Sequence, residues 1–213
     1  MKVSKIGIAA SLMFFAGVVA AGIADDFKNA SNSTGCDAIP YSSERETCKR
    51  ADVDGWCKSK KWSCDDLDPS GLNRNIDNVN SKISDLKKEQ SDLESKRNNA
   101  KDDSERRDYD DKIKDKKNQI EALQAKVDAW KKQIDSERSL ARDRQDVGER
   151  CIAERKTVQK AFADAKYKVE RESDADAKQY ASKLVSIYDS EAKGHQEAID
   201  ITQKGIDKCK GMR

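Results

Sequence analysis

The sequence predicts an all-α fold class: elongated antiparallel coiled-coil or helical hairpins with a small disulfide-stapled N-terminal module. Beyond residue 70 the apolar residues recur at alternating steps of three and four, the spacing of a coiled-coil seam. Charged residues make up 38% of the chain and aromatic residues 6%, and the charges alternate in sign, as on long solvated helices. Four of the six cysteines fall within residues 36–64, which indicates a short cross-linked module.

The first 24 residues predict a secretory signal peptide. Lys2 and Lys5 precede a run without charges, residues 6–24, which ends in small side chains before two aspartates. The alternative is an uncleaved membrane anchor, because a helix of this length, rising about 1.5 Å per residue, nearly spans a bilayer core. We therefore expect an exported protein, periplasmic or extracellular, that meets the membrane only if this helix is retained.

Residues 25–35 are small and polar and predict a linker, which leads into a four-Cys module at residues 36–66. An oxidising compartment permits three disulfides among the six cysteines. We expect nested pairing within the module, Cys36 with Cys64 and Cys48 with Cys57, around a short hairpin. The cysteine spacings do not fit the usual zinc-binding patterns.

The remaining cysteines, Cys151 and Cys209, lie on predicted helix seams and are expected to pair with one another inside the chain. An intermolecular bridge is the main alternative. The intramolecular pair requires the chain to turn near residue 180, midway between Cys151 and Cys209. The polar stretch at residues 172–176, where the chain is expected to break, centres near residue 175. Because a disulfide requires Cα atoms within about 7 Å, the position of this turn decides the pairing.

Residues 70–213 are predicted to form an antiparallel helical rod of three helices, at about 72–100, 108–170 and 178–209. The first seam weakens after Ala100, and the charged stretch 101–107 is the expected turn. The polar residues 172–176 mark the break before the third helix. The seams consist of residues three, four or seven apart: Ile76, Val79, Ile83, Leu86, Leu93; Ile113, Ile120, Val127, Ile134; and Val185, Tyr188, Ala192, His195, Ile199, Ile206.

The start of the first long helix also contains a candidate calcium loop. Asp66, Asp68, Ser70 and Asp77 occupy loop positions 1, 3, 5 and 12, with Gly71 at position 6, as in an EF-hand. The alternative is a helix start, in which Asp68 or Ser70 caps the helix and a proline occupies its first turn. A short aspartate at position 12 and the lack of a second loop favour this alternative.

The sequence does not predict an enzyme, a cofactor or a nucleic-acid partner. His195 is the one histidine, and its place on a helix seam predicts a partly buried packing residue. Gly-rich phosphate loops, HExxH and GxSxG are absent from the sequence. Removing residues 1–24 leaves 40 basic residues of the original 42, against 40 acidic ones, so the basic excess that nucleic-acid binding exploits is missing.

The predicted function is that of an exported interaction or structural protein, which presents its stapled module to a protein partner. Tyr41, Trp56 and Trp62 are the candidate partner-binding residues, because aromatic side chains often anchor interfaces. They also suit a small module's core. The alternatives are an envelope protein anchored by its N-terminal helix and a holdase-type chaperone. Self-association is a further expectation, because polar residues interrupt the seams: Gln90, Arg97, Arg155, His195 and Thr202.

Overall fold

The computed structural model describes residues 22–51 and 53–212, and within these ranges it contains helices and no strands. The all-α prediction is confirmed. The signal-peptide prediction falls almost entirely outside the described residues. The elements, in chain order, are α1 (22–31), a 3₁₀ turn (Gly35–Ala38), α2 (Ser42–Arg50), a π-helical turn (Val53–Cys57), α3 (Pro69–Asn99), α4 (Asp103–Glu170), α5 (Ala175–Lys178) and α6 (Ala181–Lys210).

The chain divides into two compact units. Among the described residues, the first unit comprises 22–51, 53–62 and Asp146–Ile206, and the second comprises Ser63–Gln145 and 207–212. The predicted four-Cys module at residues 36–66 is therefore divided between the two units.

The first unit packs α1 and α2 onto the C-terminal part of α4 and onto α6. The predicted linker at 25–35 is instead helical up to residue 31, because Ile23, Phe27 and Ala30 recur at helical spacing and form an apolar face. Phe27 is 1% exposed and Ala30 is 2% exposed in the core of this unit. Tyr188 of α6 donates a hydrogen bond from its hydroxyl to the buried carbonyl of Ala38, at 2.8 Å.

In the first unit α4 and α6 run antiparallel. Lys166 pairs with Asp189 at 2.7 Å, and the side-chain amide of Gln159 donates to the carbonyl of Ala192 at 3.0 Å. Both pairs are centred near residue 176, which agrees with the predicted polar break. An apolar stripe on α4 is buried and packs with α6: Val158, Phe162, Ala165 and Val169.

The second unit contains the predicted antiparallel hairpin of α3 and the N-terminal part of α4. Ile76, Val79 and Ile83 of α3 pack against Val127 and Ile134 of α4. The turn lies between Asn99, where α3 ends, and Asp103, where α4 begins, at the start of the charged stretch expected to contain it. These seam residues are buried because they share one helical face.

The three disulfides differ from both predicted arrangements. Cys36 bonds to Cys48, Cys57 to Cys151, and Cys64 to Cys209, with Cα separations of 5.6, 5.4 and 5.3 Å. The nested pairing is wrong because Val53–Cys57 forms a helical turn, so there is no hairpin to bring Cys48 opposite Cys57.

The predicted Cys151 to Cys209 pair is also wrong, and the helix register explains why. A Cβ added to Gly148 would lie 2.7 Å from Ile206, so these two positions face one another across α4 and α6. In an antiparallel pair Cys151 then lies opposite residues near 203, about two helical turns before residue 209. Cys209 belongs to the second unit, where it bonds to Cys64 beside Leu67 and Ala141.

Candidate functional site

The first unit contains a cleft with a volume of about 390 Å³. Its walls come from the 3₁₀ turn, the end of α2, the π-helical turn, α4 and α6. The lining residues are Gly35, Cys36, Cys48, Lys49, Ala51, Val53, Val158, Phe162, Glu191 and His195.

The base of the cleft is apolar. Val158 and Phe162 lie one turn apart on α4 and are 3% and 1% exposed. The Cys36–Cys48 disulfide fixes the 3₁₀ turn to α2 and forms part of the wall. Gly35 has a φ of 57°, in the left-handed region that glycine adopts without a steric penalty.

Charged groups of both signs surround this apolar base. The amide of Gly35 donates to Oε1 of Glu191 at 2.9 Å. Lys49 pairs with Asp37 at 2.6 Å, and the hydrogen bond and positive charge of Lys49 lower the pKa of the Asp37 carboxyl. The rim thus carries an ammonium group and a carboxylate near the same apolar surface.

His195 of α6 contacts Arg155 of α4. Its Nδ1 is 3.4 Å from Nη1 of Arg155, and its ring centroid is 6.3 Å from that of Phe162. Because a guanidinium can only donate, Nδ1 accepts in this contact, which leaves the proton of a neutral imidazole on Nε2. The side chain is half-buried, as its seam position predicts.

Arg155 has no ion-pair partner among the residues that the structure describes. Its Nε is inaccessible to solvent and makes no hydrogen bond within those residues. Arg155 precedes Val158 by about one turn on α4 and is not among the residues that line the cleft. A half-buried guanidinium of this kind favours an anionic partner.

The predicted partner-binding aromatics do not form one exposed patch. Tyr41 packs edge-on against Phe27 with ring centroids 5.8 Å apart, and burial is the main cause that raises its pKa to about 12. Trp56 is half-buried beneath the guanidinium of Arg150, which lies 3.9 Å from the ring centroid. Trp62 is also half-buried. Their role in partner binding stays a prediction.

The candidate calcium residues take the arrangement of a helix start. Asp68 accepts a hydrogen bond from the amide of Gly71 at 2.8 Å and caps α3, whose first residue is a proline. Ser70 and Asp77 lie about two turns apart on α3 and are both exposed, rather than in a coordinating loop. Among the residues 22–51 and 53–212, no group of three or more acidic, His or Cys side chains could hold a metal ion.

Asp66, the remaining calcium candidate, pairs with Arg144, a residue that the sequence reasoning passed over. Arg144 is 8% exposed, and its guanidinium donates to both carboxylate oxygens of Asp66 and to the carbonyl of Ser63 at 2.8 Å. The neighbouring Asp65 pairs with Lys208 at 2.6 Å, and this hydrogen bond lowers the pKa of the Asp65 carboxyl.

Comparison with known proteins leaves the function to be argued from these residues. No protein-family model, no curated protein and no solved structure matches the chain. In the described ranges, none of the helices combines the length and the apolar run that crossing a membrane requires.

Proposed function

We propose that the protein is an exported, non-enzymatic interaction protein, which holds part of its N-terminal region rigidly on a helical scaffold for a protein partner. The observation that carries this proposal is the Cys57–Cys151 disulfide, which joins residues 94 positions apart. It fixes the turn that contains Trp56 onto α4. A surface ordered before binding loses less conformational entropy when a partner docks.

Export is supported by the cysteines. All six are paired in three disulfides, and such bonds persist in oxidising compartments such as the periplasm and the extracellular space. These disulfides would be reduced in a reducing cytosol, and the chain would lose the cross-links that hold it.

The surface next to Trp56 is the proposed contact region. Arg150 stacks on the indole, and the ammonium of Lys60 lies 5.6 Å from the ring centroid. Tryptophan and arginine are over-represented among residues that dominate binding energy. Lys60 is exposed, so a partner docked here would contact it without rearranging the core.

Photo-crosslinking in the native compartment tests this proposal. A benzophenone amino acid is introduced in place of Lys60, and in a control variant in place of Lys88, an exposed residue of α3. We expect one discrete, heavier adduct from position 60 and none from position 88. Equal adducts at both positions, or none at either, would contradict the proposal.

The same experiment, together with the intact mass of the recovered protein, separates the alternatives. A broad smear of many crosslinked proteins would favour the holdase chaperone, because such a protein binds many unfolded clients. An intact mass that still includes residues 1–24, with the protein in the membrane fraction, would favour the anchored envelope protein.

A further inference from the structure

The cleft of the first unit places one disulfide within reach of small molecules. Cys36 and Cys48 both line it, and Cys36 is half-buried rather than fully enclosed. We propose that this disulfide is a thiol-exchange site: a small thiol enters the cleft, attacks Sγ of Cys36 and opens the Cys36–Cys48 bond while the other two disulfides persist. Exchange at this site requires no protein partner.

Burial distinguishes this disulfide from the other two. In thiol–disulfide exchange a thiolate must reach one of the two sulfur atoms, so the rate depends on access. Cys48 is 1% exposed, so Cys36 is the residue whose sulfur an incoming thiolate meets. The four cysteines of the other bonds are 6% exposed or less: Cys57, Cys151, Cys64 and Cys209.

The cleft accommodates a small thiol. Its volume of about 390 Å³ lies within the range of about 300–1,000 Å³ that is common for small-molecule sites. Phe162 belongs to its apolar base, against which the carbon chain of a thiol can pack. The lining carries the ammonium group of Lys49 as well as the carboxylate of Glu191. An incoming thiolate therefore meets charges of both signs rather than a uniformly negative surface.

The exchange balances without an external oxidant. The thiol loses its proton to solvent, and the resulting thiolate forms a bond to Sγ of Cys36 as the Cys36–Cys48 bond breaks. Cys48 leaves as a thiolate and takes up a proton. One disulfide thus replaces another, and a mixed disulfide remains on Cys36. A second thiol can then displace the first as a small-molecule disulfide, which leaves both cysteines reduced.

Other contacts hold the surrounding fold together when this bond opens. The 3₁₀ turn and α2 remain joined by the ion pair of Lys49 with Asp37, at 2.6 Å. Ala38, the last residue of that turn, is fully buried, and its carbonyl accepts a hydrogen bond from Tyr188 at 2.8 Å. The Cys57–Cys151 disulfide still fixes the π-helical turn to α4. Exchange at Cys36 is therefore a local event that does not require the unit to unfold.

Partial reduction of the unsubstituted full chain tests the order of opening. The folded protein, with all three disulfides formed, is incubated with glutathione at graded concentrations, and free thiols are alkylated at successive times. Intact mass and peptide mapping then identify the cysteines that have opened. We expect species modified only at Cys36 and Cys48 to form at least about tenfold faster than species modified at the other four cysteines.

Two single variants identify the sulfur that is attacked. Cys48→Ser leaves the Cys36 thiol beside the cleft, and Cys36→Ser, the matched control, leaves the buried Cys48 thiol. Each variant is treated with glutathione disulfide after circular dichroism has confirmed its helix content. The mixed disulfide should form at least about tenfold faster on Cys36 than on Cys48.

Four results would overturn the proposal. These are no modification of Cys36 at millimolar glutathione, earlier opening of either other disulfide, simultaneous opening of all three, and equal or faster reaction of the Cys48 thiol in helical variants. If a variant does not fold, the order of opening in the unsubstituted chain decides. Because the assay uses no protein partner, its failure leaves the proposed interaction function standing, and the crosslinking result leaves this proposal standing.

Discussion

Gly148 of α4 lies close against Ile206 of α6 in the first unit, and its replacement by alanine tests that packing. A Cβ at this position would lie 2.7 Å from Cγ1 and 3.0 Å from Cδ1 of Ile206. Ile206 is fully buried, so it has no room to move away. Gly194 of α6 is the matched control, because a Cβ there meets nothing within 4 Å.

The two substitutions should have opposite effects on the free energy of unfolding. Alanine is favoured over glycine inside a helix by about 1 kcal/mol, so Gly194→Ala should stabilise the protein by about that amount. At Gly148 the same gain is opposed by overpacking, which costs about 1–3 kcal/mol. Gly148→Ala should therefore be about 2 kcal/mol less stable than Gly194→Ala.

Urea denaturation followed by far-ultraviolet circular dichroism measures both variants against the unmodified chain, with the disulfides intact. An unchanged slope against urea concentration would attribute the shifts to stability rather than to a change in the unfolded state. Equal stabilisation by both alanines would refute the close approach of Gly148 and Ile206.

Two further predictions concern the same unit. Replacing both cysteines of the Cys57–Cys151 disulfide by alanine should lower the free energy of unfolding by about 4.7 kcal/mol, against about 2.8 kcal/mol for the Cys36–Cys48 pair, because the loops span 94 and 12 residues. Equal losses in urea denaturation would contradict this loop-length argument. Burial raises the pKa of Tyr188 above its ordinary value of 10.0, so its contribution to stability is complete below pH 10 and declines at higher pH. Tyr188→Phe should flatten that alkaline decline in stability. It should also lower the free energy of unfolding by about 1 kcal/mol at neutral pH, because a buried carbonyl loses its donor. An unchanged alkaline profile would contradict this prediction.

The long helices were predictable because the sequence repeats along them. Apolar residues such as Ile76, Val79 and Val127 recur at helical spacing over many turns, and their burial follows from that repeat. The turns were predictable because charged or polar stretches interrupt it. Each of these signals is local in sequence.

The disulfide pairing and the cleft were not predictable, since both depend on residues far apart in the chain. Cys64 and Cys209 are separated by 145 positions, and Gly35 and Glu191 by 156. The path of residues 36–64 has too few repeats to indicate which helix it packs against. The linker prediction missed α1 because an apolar face of only three residues, among them Phe27, is short against its polar neighbours.

The central claim is that disulfides fix the N-terminal region onto the long helices, and peptide mapping without reduction tests it most directly. The protein is recovered from its native compartment, its thiols are blocked, and it is digested with trypsin before mass spectrometry. The account predicts linked peptides that join Cys57 to Cys151 and Cys64 to Cys209. Peptides that join Cys48 to Cys57, or Cys151 to Cys209, would contradict it.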